Sequence, residues 1–303
     1  MKKKNVYSKY DQLPDKMANN VLTPGCLALE GGSFRGAYTA GVLDVFMEND
    51  INLQTVIGVS AGCLTGYNYA AGAIGRTARV NISVRHDHRY VGYRSFITDK
   101  GLIGFHFMFN ECEDLFPYSK EMINSPKRRY IAVATSCLTG ETMYFEKGKT
   151  SDLFKAMQAS CSMPYYTRVT KVEGIPCLDG GCSVKVPYKW ALNSGFEKIV
   201  VVKTLPRDHF RPEKKNKDNF ARIMYHRYPE FVKVLKGSAP RSNAETEELV
   251  RLEKEGRIFL IAPPSGFLMN SMEGDMEKMG GYYEQGVKDG EEALPALKEY
   301  LGI

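Results

Sequence analysis

Residues 55–75, TVIGVSAGCLTGYNYAAGAIG, run an apolar segment straight into a stretch of small residues, with Ser60 between Gly58 and Gly62 at the junction. A strand that passes into a helix without a connecting loop needs a sharp backbone turn, and tiny neighbours allow it. The pattern is G-x-S-x-G. It predicts a buried strand over 55–60, a helix over 61–75, and a serine projecting above a sheet at the helix N-terminus, where the helix dipole favours developing negative charge. Ser60 therefore has two readings: a glycine-flanked helix cap, or a nucleophile.

A second hand-over of the same kind lies one strand earlier. CLALEGG (26–32) reads as a buried strand, and from Gly36 the apolar residues Ala37, Tyr38, Gly41, Val42, Val45 and Phe46 recur at helical spacing. Between them stands GGSFRG. Acyl transfer places negative charge on a carbonyl oxygen, and that charge needs aimed backbone N–H groups. Glycine lets a carbonyl approach such groups with no Cβ in the way. Gly31, Gly32 and the Ser33 amide are the expected oxyanion hole. A dinucleotide loop is excluded, because the spacing is G-G-x-x-x-G and no suitably placed acid follows. A Walker-type phosphate loop is excluded by the absence of GK[ST].

The third element is CLDGGCSVKVP (177–187). Asp179, followed by Gly180 and Gly181, reads either as a tight turn or as the base for Ser60. A carboxylate is a poor base in water. Burial raises its pKa, and a direct hydrogen bond to the serine eases proton transfer, so a Ser–Asp dyad works without histidine.

Further strands are expected at RYIAVATSC (129–137), ETMYFE (141–146, after a Thr-Gly turn), KIVVVKTLP (198–206) and RIFLIAPP (257–264). A helix with a Ser-Asp cap is expected over 151–164, and charged helical stretches around 218–236, 241–255 and 273–301. Strands alternating with helices predict a three-layer α/β/α sandwich with a mostly parallel central sheet. No internal repeat or low-complexity linker divides the chain. The expectation is one domain over 1–303, with a motif-bearing core at about 25–205 and a mainly helical part at about 206–303.

With 303 residues, 43% of them apolar, the chain can bury a large core. Its net charge of +6 is mild for its size and spread along the sequence, with small clusters at Lys2-Lys3-Lys4 and RPEKKNKD. That excludes a nucleic-acid footprint and is compatible with transient contact with an anionic membrane surface. Seven scattered cysteines, with no C-x-x-C, argue against a disulfide framework or a structural zinc site and for a reducing compartment. The polar start has no apolar core of a signal peptide, and no run approaches 18 apolar residues, so a cytoplasmic protein is expected.

In order, E-G-G-S-F-R-G, G-V-S-A-G and D-G-G resemble the three motifs of the patatin-like phospholipases, D-G-G-G-x-[RK]-G, G-x-S-x-G and D-G-[GA]. The resemblance spans roughly residues 25–205 and suggests the bacterial, cytoplasmic type. It implies a lipid acyl hydrolase on a three-layer α/β fold, with Ser60 as nucleophile, Asp179 as base, Gly31 and Gly32 as oxyanion donors and Arg35 supporting the loop. It implies a lipid or acyl-ester substrate and no metal or organic cofactor. Arg35 has a second reading as a contact for a lipid phosphate. Glu30 and Ser33 depart from the family pattern. If position 33 needs a positive φ, serine there costs roughly 1 kcal/mol or more.

Other readings stay open. The order Ser60, Asp179, His209 matches an α/β-hydrolase triad. A lipid-binding or regulatory protein with weak or lost catalysis is a different class, motivated by Ser33, and transfer of the acyl group to an acceptor other than water is a third reading. His86 and His88 read as surface residues. GLIGFHFMFN (101–110) reads as ordinary core, or as a lid or membrane-contact segment over an acyl chain; GFLMNSM (266–272) is a weaker segment of the same kind.

Overall fold

The computed structural model describes residues 5–99, 101–212 and 218–303. Lys2-Lys3-Lys4 and most of RPEKKNKD lie outside the described residues. The main sheet contains β1 (Thr23–Leu29), β2 (Leu53–Val59), β3 (Arg129–Ser136), β4 (Thr142–Glu146), β5 (Thr170–Val172), β6 (Ile175–Asp179), β7 (Ile199–Val202) and β8 (Phe259–Ile261). The order is β8-β7-β1-β2-β3-β6-β5, with β4 also paired to β3. Neighbours from β8 to β3 run parallel, and β4, β6 and β5 join antiparallel. The expected mostly parallel sheet is present.

The antiparallel part decides where the chemistry sits. Residues 131–133 of β3 pair with β2 on one edge and with β4 on the other. β6 pairs with residues 134–136, two of which β4 also covers, so β6 lies on the β2 edge. The two strands thus meet end to end along one side of β3.

The helices that frame the sheet are α1 (Gly36–Glu48), α2 (Ala61–Ala70), α3 (Arg76–Ser83), α4 (Leu153–Ser160), α5 (Tyr188–Asn193), α6 (Pro229–Lys236), α7 (Ser238–Lys254) and α8 (Met276–Leu301). Side chains alternate across a strand. Leu27 and Leu29 pack with Phe46, Cys63 and Tyr283 of the layer built from α1, α2 and α8. Cys26 and Ala28 pack with Tyr188 and Ala191 of α5 and with Leu249 and Leu252 of α7. Burial on both faces is why these strands read as unbroken apolar runs. The α1 and α8 backbones touch: a Cβ on Gly286 would lie 2.1 Å from Tyr38 O, and one on Gly41 would lie 2.2 Å from Tyr283 O.

Several boundaries differ from the sequence expectation. The helix expected over 61–75 ends at Ala70, because Gly72 and Gly75 take φ of +69° and +79° and leave the helical region. Ala73–Ile74 then pair antiparallel with Lys16–Met17, so the polar lead-in contributes a short strand. The strand expected over 26–32 covers Thr23–Leu29; Glu30 still donates its N–H to Val202 O, and the chain then passes into the glycine loop. The stretch 218–236 is two helices, Asp218–Met224 and α6, parted before Pro229. The hairpin β5–β6 was not read from the sequence. Its turn is Glu173-Gly174, with φ of +51° and +82°.

Candidate active site

Ser60 sits between β2 and α2 with φ 53° and ψ −121°, a left-handed-side conformation that a side chain adopts only under constraint. The flanking glycines are required by contact. A Cβ on Gly58 would lie 2.4 Å from Gly62 O, and one on Gly62 would lie 2.6 Å from Glu30 O. The first turn of α2 therefore presses on the end of β1. The Ser60 N–H donates to Ser160 Oγ at 2.9 Å, and Cys161 Sγ lies 3.3 Å from Ser60 O. The end of α4 holds the turn from below.

Ser60 Oγ donates to Asp179 Oδ2 at 2.7 Å, and both residues are buried. The other carboxylate oxygen, Oδ1, accepts from the Gly181 N–H at 2.7 Å. Gly180 lets this turn close against β3, since a Cβ there would lie 2.3 Å from Val133 O. Burial pushes the Asp179 carboxyl above the ordinary carboxylate range; the hydrogen bonds from Ser60 and Gly181 and the charge of Lys185 pull it partly back. The Lys185 ammonium donates to Gly181 O. The Lys185 N–H donates to Glu245 Oε2 at 2.9 Å, which ties the motif to α7.

The glycine loop lies against the same turn. A Cβ on Gly31 would sit 3.1 Å from Ser60 Cβ. Among the described residues the N–H groups of Gly31, Gly32 and Ser33 have no hydrogen-bond acceptor, whereas Glu30 N–H donates to Val202 O and Phe34 N–H to Ser271 O. Ser33 has φ 51°, so the serine that replaces the family's third glycine sits where glycine is preferred. Its hydroxyl is 3.4 Å from Met163 Sδ. Glu30 anchors the loop: its Oε2 accepts from the Thr204 N–H at 2.6 Å and from Leu205 N–H at 3.3 Å. Thr204 Oγ1 in turn donates to Gly31 O at 2.9 Å.

A cavity opens beside Ser60 and Ser33, of about 1030 Å³ counting its open mouth. Met108 and Phe109 from the 101–110 segment form part of its wall, as do Leu64, Phe154, Met157 and Met272. That segment is both core and pocket: Phe105 and Phe107 are buried, and Phe109 packs on Phe154 with ring centroids 5.4 Å apart.

Arg35 is not on that wall. Its neighbouring charges are Glu30 and Arg211, burial lowers its pKa, and its buried Nε has no hydrogen-bond partner among the described residues. His209 makes no hydrogen bond to Ser60 or Asp179; burial and the cations Arg211 and Arg35 lower its pKa. His86 and His88 are exposed, as expected: His86 Nε2 lies 3.0 Å from Gly274 O, and His88 packs on Tyr93. Sequence reasoning missed Thr204, Ser160, Lys185 and Glu245. None belongs to a motif; only Lys185, inside the quoted 177–187 stretch, stood close enough to have been found.

A family model described as patatin-like phospholipase matches residues 27–192, and a model of a domain of unknown function (DUF6363) matches residues 228–302. Among curated proteins, YjjU of Escherichia coli (strain K12) is 29% identical over 193 residues, 60% of this chain and 53% of YjjU. Rv1063c of Mycobacterium tuberculosis (strain ATCC 25618 / H37Rv), described as an NTE family protein, is 27% identical over 162 residues, 53% of this chain and 43% of that protein. The chain spans about half the length of the curated relatives it matches. The crystal structure of VipD from Legionella pneumophila aligns with 98% of this chain and 71% of its own at 12% identity and a TM-score of 0.48.

Proposed function

The chain belongs to the patatin-like phospholipase family, and from that premise we propose that it is a serine lipid acyl hydrolase working through a Ser60–Asp179 dyad. The observation that carries this reading is the 2.7 Å hydrogen bond from Ser60 Oγ to Asp179 Oδ2, with Gly181 orienting the carboxylate from its other side. In the first step Ser60 Oγ attacks the ester carbonyl carbon and its proton passes to Asp179. The carbonyl oxygen becomes an oxyanion facing the free N–H groups of Gly31, Gly32 and Ser33. Collapse of the tetrahedral intermediate breaks the ester bond, and the departing alkoxide takes the proton from Asp179. Water then gives a proton to Asp179 and attacks the acyl-serine; collapse of that second intermediate releases the fatty acid while Asp179 returns the proton to the departing Ser60 Oγ.

The raised pKa of Asp179 supports its role as base, because it brings a carboxylate nearer to the proton affinity that the step needs. The absence of a hydrogen bond between His209 and the dyad favours Ser–Asp over Ser–Asp–His. The apolar cavity wall supports an acyl chain as the occupant. No helix among the described residues is long and apolar enough to cross a membrane. A cytoplasmic setting, transient contact with the membrane surface and a single domain belong to the same proposal; the seven buried free thiols support a reducing compartment.

A fluorophosphonate reagent with a p-nitrophenyl acyl ester assay tests the reading. Covalent labelling at Ser60 together with ester turnover is the expected result. An unlabelled Ser60 in a protein that binds liposomes would replace the hydrolase with a lipid-binding regulator.

A further inference from the structure

The cavity beside Ser60 is not apolar to its end. One face of α2 lines it from Ala61 through Leu64 and Thr65 to Asn68, so it follows the helix for about 10 Å at 1.5 Å per residue. Val80, Met108, Phe109 and Phe154 add apolar wall. At the level of Asn68 the wall also carries Arg76, which is hydrogen-bonded to Asn68.

Arg76 is held in a fixed pose. Its Nε donates to Phe116 O at 2.6 Å, its Nη1 donates to Asn68 Oδ1 at 2.5 Å, and its guanidinium lies 4.9 Å from the centroid of the Tyr118 ring. Nη2 has no acceptor among the described residues. Glu113, an acid on the cavity wall whose charge reaches Arg76, is ion-paired with Lys120. The guanidinium is half-buried and makes no ion pair with a carboxylate among the described residues, so an alkyl chain lying against it would desolvate it without compensation. An oxyanion offers the planar fork its natural partner.

We propose that the Arg76 end of the cavity binds an anionic group of the substrate, a phosphate or a carboxylate, so that the ester cleaved at Ser60 belongs to an anionic acyl lipid rather than a neutral one. This rests on the reading of Ser60 as an ester-cleaving nucleophile and adds the substrate class. The apolar side chains of the wall take the hydrocarbon between the ester and the anion.

The test is binding, measured by calorimetry on the Ser60→Ala protein with decyl phosphate, decanedioate, inorganic phosphate and decyl glucoside. At least one of the two ten-carbon anions is expected to bind about tenfold or more tighter than the neutral glucoside. Tighter decyl phosphate assigns a phosphate, and tighter decanedioate a carboxylate. Arg76→Gln is expected to erase the preference and Arg76→Lys to keep part of it. Equal binding of anionic and neutral ligands overturns the proposal. So does a preference that survives in Arg76→Gln, or inorganic phosphate binding as tightly as decyl phosphate. Should Arg76→Gln fail to fold, the unmutated protein decides: decyl phosphate must shield Ser60 from a fluorophosphonate better than decyl glucoside does, and equal shielding sinks the idea. None of the calorimetric readouts needs turnover, so an inactive protein would defeat the hydrolase reading while leaving the anion preference separately measurable.

Discussion

Val59 stands opposite Val133 and Asp179 opposite Ala134, so the last residues of β2 and β6 occupy successive positions on one edge of β3. Ser60 follows Val59 and reaches a carboxylate far along the chain because two strands end nose to nose. A one-residue slip of β6 would turn Asp179 to the opposite face of the sheet. Gly180, pressed on Val133, opposes that slip.

Ser60→Ala and Asp179→Asn are each expected to lower turnover of a p-nitrophenyl acyl ester by on the order of 10⁴-fold, with the double variant little worse than either. His209→Ala is expected to keep native turnover. A large loss in His209→Ala with near-native Asp179→Asn would transfer the base role to the histidine.

Lys185→Met removes the cation that lowers the Asp179 pKa. The carboxyl must be ionised to accept a proton, so the acid limb of the kcat/KM profile is expected to move to higher pH. An unmoved limb in a folded variant would mean that Lys185 acts on the turn alone.

Ser33→Gly relieves a side chain held at φ 51°. Thermal stability is expected to rise by roughly 1 kcal/mol, with turnover kept or raised. Ser33→Val, β-branched at the same φ, is expected to lower both. Calorimetric melting and the ester assay measure the pair; destabilisation by glycine would show that the Met163 contact outweighs the strain.

Gly62→Ala places a methyl 2.6 Å from Glu30 O and 2.7 Å from Leu29 O, both backbone atoms that cannot step aside singly. The α2 N-terminus must lift from β1, which separates Ser60 from the glycine loop. Loss of fluorophosphonate labelling is expected even in the fraction that folds, and normal labelling would refute the contact.

Asp44 is buried, accepts from the Gly75 N–H at 2.9 Å and the Tyr283 hydroxyl at 3.0 Å, and burial pushes its pKa up to about 7. The unfolded chain ionises this group near the ordinary value of 3.8. Its contribution to stability is therefore fully present below that value and is lost as pH rises through about 7. Asp44→Asn keeps an acceptor for Gly75 and takes away the ionisation. The variant is expected to melt higher than the native chain at pH 8 and to lose the advantage by pH 4. A parallel pH dependence of the two proteins would place the ionisation elsewhere.

Much of this was legible in the residues. Apolar runs buried on both faces marked β1, β2, β3, β7 and β8, and glycines beside Ser60, Asp179 and the 31–33 loop marked backbone that must pass close to other backbone. These are local signals, because an elbow needs its small neighbours within two positions. The Glu173-Gly174 turn was equally local and was overlooked. In the sequence Glu30 stands only as a departure from the family pattern, yet its carboxylate pins the glycine loop to Thr204.

Sequence by itself determined which residue types could carry the chemistry and the alternation of strand and helix that holds them, since periodicity and glycine placement are properties of neighbouring residues. Only the tertiary structure decided that Asp179 meets Ser60, that His209 hydrogen-bonds to neither, and that Arg76 joins the wall of the cavity beside Ser60. Those relations depend on strand order and register between segments many residues apart, and burial that sets a pKa exists only once those segments have packed.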